Sequence, residues 1–319
     1  MGEERNSSPT TAGVYHVPAL LRETVDSLIT DPDGIYVDAT FGGGGHSREI
    51  LSRLGPEGHL FGLDRDLDAR DRCDISDECF TFVRTDFRYL SRFLTYFGVT
   101  HIDGLLADLG VSSHDFDEEG RGFSFRYDDA PIDMRMNQSA GETARQLIDR
   151  LEWSELATLL HTYGEVQQSR RAATLIKQAA ERGELETMKG LIDALSPIAP
   201  ERNKKLRNKV LSQVFQALRI AVNDEMGALY ALLESLPTLL APGGRAGFLT
   251  YHSLEDRPVK NFFRYGNVAG DRETDLYGNL RAPLRPLSSK PVIPSAEEIE
   301  RNPRVRSAKL RAAELPAEE

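Results

Sequence analysis

The sequence predicts an α/β fold: a parallel sheet of β–α repeats, interrupted by an all-helical insertion and then resumed. Three observations carry this. Residues 35–64 read as strand, four glycines, helix, strand and a terminal carboxylate. The β–α rhythm then repeats to about residue 112. From 142 to about 215 only helical periodicity is found, and strand patterns return near residue 245.

Taken in order, Pro18 opens an amphipathic helix over 18–29, with Leu20, Leu21, Val25, Leu28 and Ile29 on one face. Asp31-Pro-Asp-Gly34 is a turn into the first strand, 35–38. Gly42 to Gly45 let the backbone turn sharply and keep side chains away from a bound molecule. A helix over 47–54 and a strand over 59–63 follow. The third strand is 80–83, a helix covers 88–97, and the fourth strand, 102–107, ends in Asp108. Successive β–α units imply right-handed crossovers and a site beyond the carboxyl ends of the strands. Asp38, Asp64, Phe87 and Asp108 all fall at that edge.

Residues 113–139 read as loop, and 152–162, 170–182 and 186–195 as helices. A long helix then runs to about Ser235, Ala241-Pro-Gly-Gly244 turns, and a strand covers 245–251. Ser253-Leu-Glu-Asp256 has the form of a capping box for a helix to Phe263. Residues 266–303 are rich in Pro, Gly and charge and are expected to be irregular, before a last strand at 307–313. The expected division is a polar tail over 1–13, an α/β domain over 14–139 plus 215–319, and an inserted helical substrate domain over 140–214.

Composition narrows the function. No run of eighteen apolar residues appears, so no membrane span is expected. Residues 1–13 carry no apolar segment of the signal-peptide kind. Cys73 and Cys79 sit in a polar stretch that suggests neither a disulfide nor a metal knuckle, and a reducing cytoplasm fits. The histidines lack metal-ligand spacing, so no metal is assigned. The net charge of −11 argues against a nucleic-acid partner, yet 202–209 and 301–311 hold five basic residues each. For either run alone, a solvated face is the simpler reading.

The glycine run only half matches the dinucleotide fingerprint. Asp38, at the mouth of that loop, would repel a pyrophosphate but tolerate the sulfonium and ammonium of S-adenosylmethionine. A methyl donor is therefore preferred to NAD, with a glycine-rich turn and a solvated Asp as the plain alternative. Asp64 suits ribose hydroxyls. Neither cysteine lies at a strand end, which disfavours attack on a cytosine ring. Transfer to an exocyclic amine needs no covalent step, only a carboxylate to accept the amine hydrogens. Asp108 is the catalytic candidate, with a purely donor-binding role equally open. His46 is assigned to cofactor contacts and His252 to a structural hydrogen bond, ahead of a catalytic base at either. Phe87 stacks on adenine or packs in the core, and both stay open.

Eight blocks carry a family resemblance. They are Tyr15-His-Val-Pro-Ala-Leu-Leu21, Asp38-Ala-Thr-Phe-Gly-Gly-Gly-Gly-His-Ser47, Asp108-Leu-Gly-Val-Ser-Ser113, Arg121-Gly-Phe-Ser-Phe125, Pro131-Ile-Asp-Met-Arg-Met136, Phe215-Gln-Ala-Leu-Arg-Ile220, His252-Ser-Leu-Glu-Asp-Arg257 and Asn302-Pro-Arg-Val-Arg-Ser307. In this order they closely resemble the bacterial small-subunit ribosomal RNA cytosine-N4 methyltransferases. The resemblance implies a class I S-adenosylmethionine-dependent methyltransferase (Rossmann-like) domain interrupted by a helical substrate domain. It implies S-adenosylmethionine as donor and a decoding-centre cytosine of 16S rRNA, in the small ribosomal subunit, as acceptor. It places donor contacts at Gly44, Gly45, His46, Asp64, Phe87 and Asp108. A further family contact is the Gln of Val-Ser-Ser-Pro-Gln; here Val111-Ser-Ser-His-Asp115 puts Asp115 there, and a carboxylate accepts but cannot donate. The 121–136 block is expected to line the substrate entrance, its arginines on phosphate and Phe123 or Phe125 on a base, unless the loop packs on the sheet. DNA is disfavoured as substrate, because the fourth strand lacks the Pro-Pro-aromatic tetrapeptide of DNA amino-methyltransferases. The oligomeric state is left open, a homodimer included.

Overall fold

The computed structural model describes residues 18–111 and 116–317. Its sheet has seven strands: β1 (Ile35–Asp38), β2 (His59–Asp64), β3 (Phe80–Arg84), β4 (Ile102–Asp108), β5 (Leu240–Thr250), β6 (Arg285–Pro286) and β7 (Lys309–Glu314). The order is β3-β2-β1-β4-β5-β7-β6. The first five are parallel, and β7 runs antiparallel to both β5 and β6. This is the class I sheet expected above, with its helical insertion. Both faces are covered, as parallel sheets require. Neighbouring residues therefore split between faces: Tyr36, Leu60 and Leu106 pack with Val25, Leu28 and Ile50 on one side. Val37, Phe61 and Leu105 pack on the other, against Leu229, Leu233 and Phe262.

Helices α1 (Leu21–Leu28) and α2 (Gly45–Leu51) cover the first face. The helix expected from Pro18 starts later because Leu20 is left-handed, at φ 51°. Pro18 instead rests on Gly45, where a Cβ would meet its ring at 2.3 Å. Helices α3 (Leu67–Asp71) and α4 (Leu90–Tyr96) complete the first half. The insertion comprises α5 (Ala144–Arg150), α6 (Trp153–Gly164), α7 (Ser169–Glu181), α8 (Met188–Ala194) and most of α9 (Lys204–Asn223). These share one apolar core with Phe123, Ile132 and Met134 of the preceding loop.

The single long helix read from the sequence is two, α9 and α10 (Glu225–Leu239). Asp224 breaks it in a left-handed conformation, and its carboxylate accepts from Arg88 at 2.8 Å. The Ala241–Gly244 turn lies inside β5 as a bulge, where pairing jumps from Ile102–Leu240 to Gly104–Arg245. The capping box at Ser253 does not form. Helix α11 (Ser253–Tyr265) has His252 at its N-cap, with no side-chain cap. Glu255 reaches back to the Tyr251 amide at 2.9 Å, and Ser253 donates to Glu165 at 3.1 Å. The irregular 266–303 region also holds β6 and a short α12 (Ala296–Arg301). No helix among the described residues is long and apolar enough to cross a membrane.

Candidate active site at the carboxyl edge of the sheet

Six of the anticipated residues meet where β1, β2 and β4 end. After β1 the chain makes a tight loop whose glycines have distinct duties. Gly42 and Gly44 have φ of 52° and 70°, which L side chains resist. At Gly44 a Cβ would also lie 2.7 Å from the Phe41 ring, whereas at Gly43 it would meet nothing. The loop is tied across the sheet: Asp64 accepts the Gly42 amide at 2.8 Å and the Asp66 amide at 2.8 Å.

Asp38 was expected as an open carboxylate at the loop mouth. It lies beneath the loop, 1% exposed, because its oxygens are used to build the turn. They accept the Thr40 amide at 3.1 Å and the Ser47 hydroxyl at 2.7 Å. Burial pushes its carboxyl up from the ordinary range, against the Ser47 and Thr40 bonds. His46 is 5% exposed. Its Nε2 sits 3.2 Å from the Ala19 carbonyl, which can only accept, so the proton belongs on Nε2. Its Nδ1 faces Asp108 Oδ2 at 3.7 Å. Burial lowers the His46 pKa and keeps the ring neutral.

Asp108 closes β4. Its amide donates to the Thr40 hydroxyl at 2.6 Å, and its Oδ1 accepts the Tyr251 hydroxyl at 2.8 Å. Burial raises its pKa to about 7; the Tyr251 bond opposes that rise and the nearby Glu255 charge adds to it. Its side chain is 24% exposed, and Oδ2 lies on the His46 side. Tyr251, just past β5, is pushed well above the usual tyrosine range by burial and by Asp108, so it stays a donor. Glu255 is buried. Burial alone would raise it, but His252, the Tyr251 amide and Arg219 hold it below the usual carboxylate range. His252 Nε2 lies 3.0 Å from Glu255 Oε1 without meeting hydrogen-bond geometry, so the expected structural hydrogen bond is not formed among the described residues.

Phe87 lies just past β3, partly buried against the main core. Asp115 and Ser112 lie outside the described residues. Sequence reasoning missed Tyr251 and Thr40. The strand-end rule that selected Asp108 applies equally to Tyr251, which was passed over for its neighbour His252.

Of the 121–136 block, the expectation is corrected for Arg121, Phe123 and Phe125. Arg121 is 4% exposed and holds Asp66 at 2.9 Å and Asp68 at 2.8 Å, with Arg135 and Met136 carbonyls on its other nitrogen. Phe123 is in the helical core, and Phe125 packs edge-on to Phe215 at 5.6 Å. These groups are spent on folding the loop, and none is presented to a phosphate or base.

The sequence matches the model of the MraW methylase family over residues 13–315. A curated protein of Parabacteroides distasonis, Ribosomal RNA small subunit methyltransferase H, is 52% identical over 301 residues, covering 94% of this chain and 97% of that one. The protein of that name from Bacteroides thetaiotaomicron is 52% identical over 300 residues, with 94% and 97% covered. That of Porphyromonas gingivalis is 49% identical over 310 residues, with 96% and 98% covered. A glycine loop braced by carboxylates, a strand-end Asp held by a tyrosine, and a match running nearly end to end together place this chain in the MraW methylase family.

Proposed function

We propose that this protein transfers the methyl group of S-adenosylmethionine to the N4 amine of a decoding-centre cytosine in small-subunit ribosomal RNA. The names of its relatives supply the RNA, and one observation carries the amine chemistry: Asp108, a partly exposed carboxylate at the tip of β4 with one oxygen held by Tyr251.

The residues present suit the donor. Asp64 and Asp108 put carboxylates at the cradle, which favours a sulfonium and disfavours a pyrophosphate. Gly43 leaves room beside the loop, and Gly44, Gly45 and His46 border it. Asp64, at the tip of β2, suits ribose hydroxyls, and Phe87, just past β3, suits the adenine end. The donor, when bound, supplies an electrophilic methyl group. As carboxylate, Asp108 accepts an N–H of the amine at Oδ2, draws the nitrogen lone pair out of ring conjugation, and receives the proton released on transfer. Tyr251 fixes the carboxylate plane, and Asp38 rigidifies the loop through Thr40 and Ser47. We assign RNA contact to the inserted 140–214 helices, where Arg202, Lys204, Lys205 and Lys209 are exposed. The other basic run is partly used internally, with Arg304 on Asp117 and Arg311 on Asp256.

The test is labelled methyl transfer to small subunits lacking the mark, followed by mass mapping of the RNA. Label on a single cytosine N4 is the expected result; label on free DNA with bare subunits would overturn the reading. A second outcome concerns pH. The active form of Asp108 is the carboxylate, so kcat/KM rises with pH through about 7 and levels off above it. The Tyr251 bond lowers that pKa. Tyr251→Phe should therefore move the rising limb to higher pH; a limb that stays put or moves down removes Asp108 from that role.

A further inference from the structure

A cavity of about 490 Å³ opens beside the site, between the ends of β2 and β3 and the loop after Met136. Its lining carries Arg65, Arg84 and Arg135 against a single carboxylate, Asp86. That excess is notable in a chain of net charge −11, since like charges gathered around one hollow repel. Arg65 pairs with Asp86 at 3.2 Å and Arg135 with Asp133 at 2.7 Å. Among the described residues, Arg84 bonds only neutral partners, Asn137 at 3.3 Å and Ser139 at 3.0 Å. Tyr89 also lines the cavity and is 42% exposed, with the exposed Arg92 5.2 Å from its ring centre. Guanidinium forks suit phosphate oxygens, and an aromatic between arginines is the pattern that holds single-stranded nucleic acid.

We propose that this cavity is a phosphate subsite for the RNA strand carrying the target base, with Arg84 on the phosphate and Tyr89 stacked on an adjacent base. The inference rests on the RNA reading above and names where the strand runs. The cavity shares no lining residue with the glycine loop, Asp64, Phe87 or Asp108. It sits two to three strand positions from Asp108 along the same edge, ~10–14 Å at the usual strand spacing, so it would hold a nucleotide flanking the target rather than the target itself. Its guanidinium charge is also wrong for a cationic donor.

Arg84→Gln and Tyr89→Ala test this in the full-length protein, after equal thermal unfolding confirms that both are folded. Methyl transfer is measured against small-subunit concentration and against KCl, and donor binding by calorimetry without RNA. Arg84→Gln should raise KM for subunits by about three- to tenfold and reduce the salt slope by about 0.7, one single-strand phosphate contact. Tyr89→Ala should raise KM by about fivefold or more. Donor affinity should hold in both. Unchanged KM and salt slope in both variants would overturn the subsite while leaving the RNA reading intact. Weakened donor binding would also overturn it, because the cavity would then belong to the donor. A wild-type protein unable to methylate subunits removes the RNA reading and the subsite together.

Discussion

Asp108→Asn is expected to lower kcat by about two to four orders of magnitude while raising the unfolding temperature at pH 8. The kinetic loss follows because an amide cannot take the proton that leaves the amine. The stability gain follows from linkage. The Asp108 pKa is about 7 in the fold, raised by burial from 3.8. Below pH 4 the group is protonated in both folded and unfolded chains and carries no penalty. Between 4 and 7 the unfolded chain ionises first, so the penalty on the fold grows with pH; above 7 it is constant. Asn removes that penalty and can still accept the Tyr251 hydroxyl at its oxygen. The gain at pH 8 should therefore shrink towards nothing at pH 4. Rapid-quench kinetics and calorimetric unfolding at both pH values check the two halves. If kcat is retained and only donor affinity falls, Asp108 binds the donor and does not act on the amine.

Arg121→Ala is expected to destabilise the protein by about 3–5 kcal/mol, the usual cost of stripping a buried charge pair of one partner. The guanidinium ties Asp66 and Asp68, just after β2, to the carbonyls of Arg135 and Met136. Asn223 secures the same loop from α9, donating to the Met134 carbonyl at 2.7 Å and accepting the Met136 amide at 2.8 Å. Loss of Arg121 should free the 121–136 segment, seen as early proteolysis there and as a lower urea midpoint. Arg121→Lys should not rescue, since one ammonium cannot reach four acceptors from a single position. A loss below about 1 kcal/mol would show that the loop is held by its apolar contacts instead.

These two residues mark the limit of what the chain discloses as text. Asp108 was legible because its meaning is local: an apolar run ends, a carboxylate follows, and the strand ends of a parallel sheet face one edge. Gly42 to Gly45, Asp64 and the β–α rhythm were legible for the same reason, and the eight ordered blocks pointed to the family. Arg121 was misread because an arginine's role depends on what surrounds it. In sequence it is a cation beside aromatics; in the fold two aspartates some fifty residues earlier neutralise it. The Ser253 capping box failed likewise, because Glu255 found the Tyr251 amide and a buried place beside His252.

The sequence by itself determined the parallel strands, the glycine loop, the helical insertion and the carboxylates at the strand ends. All follow from short-range periodicity and backbone stereochemistry, which a neighbour far along the chain cannot alter. Only the tertiary structure decided that Asp38 is sealed under its loop, that Tyr251 grips Asp108 across 143 residues, and that three arginines surround an open cavity. Desolvation and pairing set the charge of a group, and both depend on partners that only packing brings together.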